Sequence, residues 1–341
     1  MKVLVTGGAG FVGSHIVDAL RDARADVVCL DSLEPGVHRG PPDYLRRDVD
    51  YRFEDLRTWV PDRTFDDVEA VVHLAALGGV ARAAREPATI IDANCRGTGR
   101  LVEAARSWRR LRTIVLASSF SVYGAGYTYR CPRCGGQRDG ARHAADLEAG
   151  RFEVSCAVCA AEAEITPITE SARPEPLETY GASKYLQELC FRGFVSGAVS
   201  ILRCSSVYGP RLRLDDGEAT IIARIAGWVR SGRRPPLLED GRQIRDWVYV
   251  GDVVAAMLAL VAGATAPAVM NVCSGVPTRL TEACEGIAET LGVDCPPEIV
   301  GGFRPGDMRH CLGDPTLLRT LLGRDPLAFK DGVRLAFGPR E

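Results

Sequence analysis

Tyr180 and Lys184 lie four apart in the run Tyr180-Gly-Ala-Ser-Lys184. In a helix that spacing puts both side chains on one face. A nearby ammonium favours a phenolate and draws the tyrosine pKa down toward neutrality. The pair would then serve as a general base for the proton of an alcohol. Oxidising that alcohol also releases a hydride, which needs an acceptor. The run Thr6-Gly-Gly-Ala-Gly-Phe-Val-Gly13 offers a place for one. Gly7, Gly10 and Gly13 allow a tight turn and a close approach of backbone to a pyrophosphate, and the following helix presents free N–H groups to its charge. Asp31 ends the next apolar run, where a carboxylate accepts from both ribose hydroxyls and repels a 2′-phosphate, so the reading is NAD rather than NADP. Asp55 and Leu56 follow a third run and are placed to face the adenine.

A second chemistry is written in cysteine. Of twelve cysteines, eight are scattered singly and read mostly as small buried hydrophobes. The other four form Cys131-Pro-Arg-Cys134 and Cys156-Ala-Val-Cys159, with 21 residues between the pairs. Two such knuckles fit a tetrahedral structural zinc, and four thiolates leave no open position for catalysis. Zinc would hold this segment together. Between Gly126 and Ile168 five arginines face six acidic residues, a mixed surface unsuited to a phosphate backbone. A lid or subunit contact suits it better.

These residues need a scaffold. Lys2–Thr6, Val27–Leu30, Tyr51–Phe53, Ala70–His73, Thr113–Ala117 and Ser200–Arg203 read as strands. Phe11 to about Arg24, Ala88–Trp108 and Tyr180–Val195 read as helices between them. Such alternation predicts an α/β, Rossmann-like, doubly wound parallel sheet. The NAD-binding domain is expected over 1–207, with an inserted zinc-ribbon-like segment at 125–168. A smaller substrate lobe is expected over 208–341, of which 244–274 returns to the first domain. The 341 residues carry 42 basic and 44 acidic side chains, a net charge of -2 that gives no case for nucleic acid or an anionic membrane. No apolar run reaches the length of a membrane span, and Met1–Val5 is too short for a signal-peptide core, so the chain reads as cytoplasmic.

The spacing Gly-x-x-Gly-x-x-Gly occurs with His73-Leu-Ala-Ala76, Ser118-Ser119, Tyr180-x-x-x-Lys184 and Val207-Tyr-Gly-Pro210. Together with Arg245-Asp246-Trp-Val-Tyr-Val-Gly-Asp252 and Arg304-Pro-Gly-Asp307, the set resembles the extended short-chain dehydrogenase/reductase family of NAD-dependent sugar-nucleotide epimerases and dehydratases. The resemblance implies that Tyr180 is the base, that Lys184 lowers its pKa and binds the nicotinamide ribose, and that Ser119 bonds the reacting sugar oxygen. It places Phe11, Val12, Leu74, Ala75, Ala76, Asn94 and Ser118 around the cofactor. It places Ser121, Tyr123, Ser206, Arg245, Arg304 and Asp307 around the substrate, the two arginines on its diphosphate. Ser206 departs from the asparagine many relatives carry there.

Members begin by oxidising a sugar hydroxyl, usually at C4. Dehydratases of the family usually carry adjacent Asp and Glu after the catalytic hydroxyl, and decarboxylases a nearby Glu. Here Ser118-Ser119-Phe-Ser-Val-Tyr123 has no carboxylate. The minimal chemistry remains, in which hydride is removed and returned to the opposite face, and a 4-epimerase is expected. A 4-ketoreductase or dehydrogenase, or an epimerase of another NDP-hexose, is the alternative. The cysteine insertion resembles the dTDP-L-rhamnose 4-epimerase branch, which implies a dTDP-linked substrate. Members are commonly homodimers, and the helix at Ala88–Trp108 is a candidate face.

Overall fold

A computed structural model describes residues 1–140, 142–193, 198–214, 220–304 and 307–339. Pro305 and Gly306 of the Arg304–Asp307 motif, and residues 194–195 at the end of the helix expected over Tyr180–Val195, lie outside the described residues.

Seven strands build the central sheet: β1 Lys2–Thr6, β2 Asp26–Leu30, β3 Asp50–Arg52, β4 Ala70–His73, β5 Thr113–Ser119, β6 Ala198–Cys204 and β7 Val269–Val272. They run parallel in the order β7-β6-β5-β4-β1-β2-β3. Their apolar residues are buried on both faces, as parallel strands covered by helices must be. One face packs on α1, Phe11–Asp22, through Ile16, Val17 and Leu20, together with Val253 and Met257 of the helix Val250–Val261. The other packs on Leu101, Trp108 and Phe191. Strand order reverses between β1 and β4, and the carboxyl ends of strands at such a point leave a crevice for a ligand.

The helix expected over Ala88–Trp108 is not continuous. Pro87 starts it, because the residue before a proline is steered out of the helical region and Glu86 lies at φ -130°. It passes through a π turn at Asp92–Arg96 and ends at Ala105. The insertion is also more ordered than its irregular composition suggests. Thr128–Arg130 pairs antiparallel with Gln137–Asp139 on one side and Glu164–Ile165 on the other, and a short helix spans Ala144–Glu148.

A second core, with Tyr208, Ile222, Trp247, Ile287, Val333 and Phe337, forms the smaller lobe. Its strand Ile244–Tyr249 pairs with Ser206–Tyr208 and Pro277–Arg279 rather than with the central sheet. Among the described residues no helix is long and apolar enough to cross a membrane.

Candidate active site

The glycine turn sits at the reversal point. Gly7 has φ +74°, and its N–H donates to the Leu30 carbonyl at 2.8 Å. A Cβ on Gly13 would lie 1.9 Å from the Gly7 carbonyl oxygen, so the turn closes only with glycine there. Gly10 caps α1 without a side-chain partner, leaving Phe11 and Val12 in the open first turn. The Asp31 carboxylate is oriented by the backbone N–H groups of Ala9, at 3.0 Å, and Leu33, at 2.9 Å. His38 lies 3.9 Å from that carboxylate. Burial lowers the His38 pKa, which outweighs the pull of Asp31 in the other direction. Sequence reasoning assigned no role to this histidine, although it closes the segment that begins at Asp31.

Asp55 is bound locally. Its carboxylate pairs with Arg57 at 2.5 Å and caps its own turn, so its side chain is directed at Arg57. Leu56 is buried against Gly97. Leu74, Ala75 and Ala76 follow β4, and Asn94 holds that loop at two points. Its Oδ1 accepts from Leu77 N at 2.7 Å, and its Nδ2 donates to Leu77 O at 3.0 Å and to Ser183 Oγ at 2.9 Å. The π turn is what carries Asn94 to this loop, and such turns concentrate at functional sites.

Tyr180 and Lys184 lie on α2, Thr179–Arg192. Glu178 caps this helix, accepting from the N–H groups of Tyr180 and Gly181. The Ser119 hydroxyl, where β5 gives way to the turn Phe120–Val122, lies near enough to the Tyr180 phenol to bear on its pKa. Ser119 Oγ also accepts from Ser121 N at 3.1 Å. The expected depression of the tyrosine pKa by Lys184 is not present in this state. Burial pushes Tyr180 up to about 12, and the nearby Ser119 hydroxyl pulls only part of that back. Lys184 is 3% exposed, and its ammonium donates to Gln187 Oε1 at 2.5 Å. A neutral phenol is a poorer acceptor than that amide carbonyl one turn along the helix. Burial brings Lys184 down to about 8.

Gln187 was missed by sequence reasoning, although it is on the same face as the pair, seven residues from Tyr180. Its amide donates to Thr98 Oγ1 at 2.7 Å and to Asn94 O at 3.2 Å. Thr98 Oγ1 also lies 2.8 Å from His73 Nε2 and donates to Asn94 O at 2.6 Å, so His73 carries its proton on Nε2. Its Nδ1 is then left to accept from Thr6 Oγ1 at 2.6 Å. A buried polar chain thus links Lys184 to the strand that enters the glycine turn.

Several expected contacts are otherwise engaged. Ser118 donates to Glu188 Oε1 at 2.6 Å, within a buried ion pair to Arg203 at 2.8 Å. Tyr123 is fully buried. Its hydroxyl donates to Asn271 at 2.6 Å and its ring lies under the Arg203 guanidinium, so it supports the site from behind rather than facing a substrate. Ser121 and Ser206 are half-buried at the ends of β5 and of the strand beside Trp247. Arg245 donates to the carbonyls of Ile244 and Arg309 at 2.9 and 3.0 Å, and Asp307 lies 3.9 Å away. Arg304 is exposed, and its charge adds to burial in lowering the pKa of Arg224.

The sulfurs of Cys131, Cys134, Cys156 and Cys159 all lie within 4.8 Å of one another. The two knuckles match. Cys131 N donates to Gly136 O and Cys156 N to Ala161 O, at 2.8 and 2.7 Å, and Gly135 and Ala160 both have positive φ. Backbone N–H groups of Val158 and Cys159 point at the Cys156 sulfur and draw its pKa down to about 6. Four convergent sulfurs on two matching knuckles fit a tetrahedral metal.

The sequence profile of the NAD dependent epimerase/dehydratase family matches residues 3–135 and 141–273. The chain is 31% identical over 337 residues to a dTDP-L-rhamnose 4-epimerase of Burkholderia thailandensis, covering 95% of this chain and 90% of the relative. It is 30% identical to a UDP-glucose 4-epimerase of Mycolicibacterium smegmatis, with 98% and 96% covered. The fold superimposes on a Thermus thermophilus UDP-glucose 4-epimerase in complex with NAD with a TM-score of 0.76, 28% identity and coverage of 99% and 98%. Sequence profile, relatives and fold agree over nearly the whole chain, which belongs to the NAD dependent epimerase/dehydratase family.

Proposed function

We propose that the chain is an NAD-dependent nucleotide-sugar 4-epimerase acting on dTDP-L-rhamnose. NAD, when bound, supplies the hydride acceptor. Tyr180, as the phenolate, takes the proton of the C4 hydroxyl, Ser119 holds the same oxygen, and Lys184 supplies the positive charge that favours the phenolate. The 4-keto sugar turns in the site, and hydride returns to its other face. The observation that carries the reading is the close approach of the start of α2, at Tyr180 and Gly181, to the turn after Ser119, a turn that supplies hydroxyls and no carboxylate. Among the described residues, the Glu178 carboxylate caps α2 and that of Glu188 pairs with Arg203, so both are already engaged.

The Burkholderia relative, whose name specifies dTDP-L-rhamnose, supports the choice of sugar. The same reading assigns structural zinc to the four cysteines. It also assigns a homodimer that would cover exposed Ile91, Leu186 and Leu189 on neighbouring helices.

The experiment is proton NMR of purified protein with dTDP-L-rhamnose and no added cofactor. The expected outcome is dTDP-6-deoxy-L-talose at catalytic turnover, slowed roughly 10²–10⁴-fold by Tyr180→Phe. An unchanged spectrum, with and without added NAD, rejects the rhamnose substrate. Release of free 4-keto sugar with stoichiometric NADH rejects the epimerase.

A further inference from the structure

A buried chain of ions joins the four-cysteine insertion to the substrate lobe. Arg309 is 1% exposed, and its guanidinium meets Glu239 at 2.6 Å, Asp240 at 2.7 Å and Glu153 at 2.6 Å. Glu153 belongs to the insertion, three residues before Cys156, and also pairs with His310 at 2.9 Å. A second insertion residue, Arg142, donates to Glu239 Oε1 at 2.8 Å and to the Asp307 carbonyl at 2.7 Å. Glu239 is 4% exposed and held at φ 55°, a conformation unfavourable for a residue with a side chain. Its two arginines keep it there.

The far end of this chain is Arg245. The carbonyls of Met308 and Arg309 accept from its guanidinium, and Asp307 lies beside it. Glu153 and Arg142 therefore fix the segment Asp307–His310 and the turn at Glu239, and that segment fixes the Arg245 guanidinium. Removing one member of a buried ion network leaves its partner's charge uncompensated, which moves the partner.

We propose that Glu153 and Arg142 are positioning residues for the anionic end of the substrate site, so that the insertion sets nucleoside-diphosphate affinity through Arg309 and Arg245. The proposal rests on the nucleotide-sugar reading above. Both act through Arg309 and Arg245, and neither has a bond to the glycine turn, so the effect belongs to substrate binding alone.

The test compares Glu153→Gln and Arg142→Met with Glu148→Gln, an exposed change on the same insertion. Binding of UDP and of dTDP is measured by calorimetry, retained nicotinamide by its absorbance after denaturation, and kcat and KM by the epimerisation assay. The expected result is a rise of about tenfold or more in Kd and KM for both variants, with kcat within about twofold of wild type, the pattern of lost uniform binding. Retained nicotinamide and the Glu148→Gln control stay unchanged. Unaltered nucleoside-diphosphate affinity in both variants overturns the proposal. So does a loss of affinity that comes with loss of retained nicotinamide in both, because the insertion would then act on overall stability. Wild-type protein that binds neither UDP nor dTDP overturns the nucleotide-sugar reading itself, a different failure.

Discussion

Among single residues, His73 has the sharpest consequence. It is 1% exposed, and burial, reinforced by the charge of Lys184, lowers its pKa from 6.5 to about 3. The folded state therefore holds it neutral while the unfolded chain protonates it near 6.5. A group whose pKa is depressed on folding contributes stability above its unfolded pKa and loses it as pH falls. Between pH 7 and pH 5 the wild type should lose roughly 2 kcal/mol on this account. His73→Gln, which does not titrate there, should lose much less. Urea midpoints at the two pH values decide it, and equal slopes for the two proteins would show that His73 is not the group responsible. The same network gives the Lys184 ammonium an acceptor other than Tyr180, the amide oxygen of Gln187. Binding of a ribose hydroxyl at Lys184 would have to compete with that bond.

At the scale of elements, α2 and the turn after β5 must approach closely for Tyr180 to lie near Ser119. Gly181 makes this possible, because a Cβ there would lie 2.4 Å from the Ser121 carbonyl oxygen. Gly181→Ala should push the start of α2 off the turn, part Tyr180 from Ser119, and cost about 1–3 kcal/mol of stability. Turnover should fall at least tenfold with retained nicotinamide unchanged, measured by NMR assay and thermal melt. Wild-type turnover would show that the two elements can separate harmlessly. The strands that present these elements were legible because buried parallel strands are continuous apolar runs. The π turn was not, since it is fixed by the two bonds of Asn94 to Leu77, a tertiary contact invisible to periodicity. The insertion's strands of two and three residues were hidden for a related reason: the knuckles set them, not hydrophobic alternation. Likewise the Tyr180–Lys184 spacing could be read, but the true partner of Lys184 depended on contacts with β4 and the loop after it.

Across the whole molecule, two regions meet that are held together by different forces. The central sheet owes its stability to a large buried apolar core, whereas the insertion buries only a small apolar cluster of its own, with Tyr127, Tyr129 and Val154, against Phe120 and Tyr123. A segment of that kind gains much of its order from a metal, and metal affinity is then folding free energy. Purified protein should carry one zinc per chain, released by a mercurial and counted with a chromogenic chelator. After its removal, amide exchange should quicken by an order of magnitude or more across 128–168 while β1, β4 and β5 keep their protection. Retained nicotinamide should stay, because the glycine turn shares no residue with the insertion. If exchange rises throughout the sheet, the insertion is part of the main folding unit and the separation argued here fails. If exchange in 128–168 does not change, the four sulfurs are held together by the backbone turns alone and the metal assignment fails.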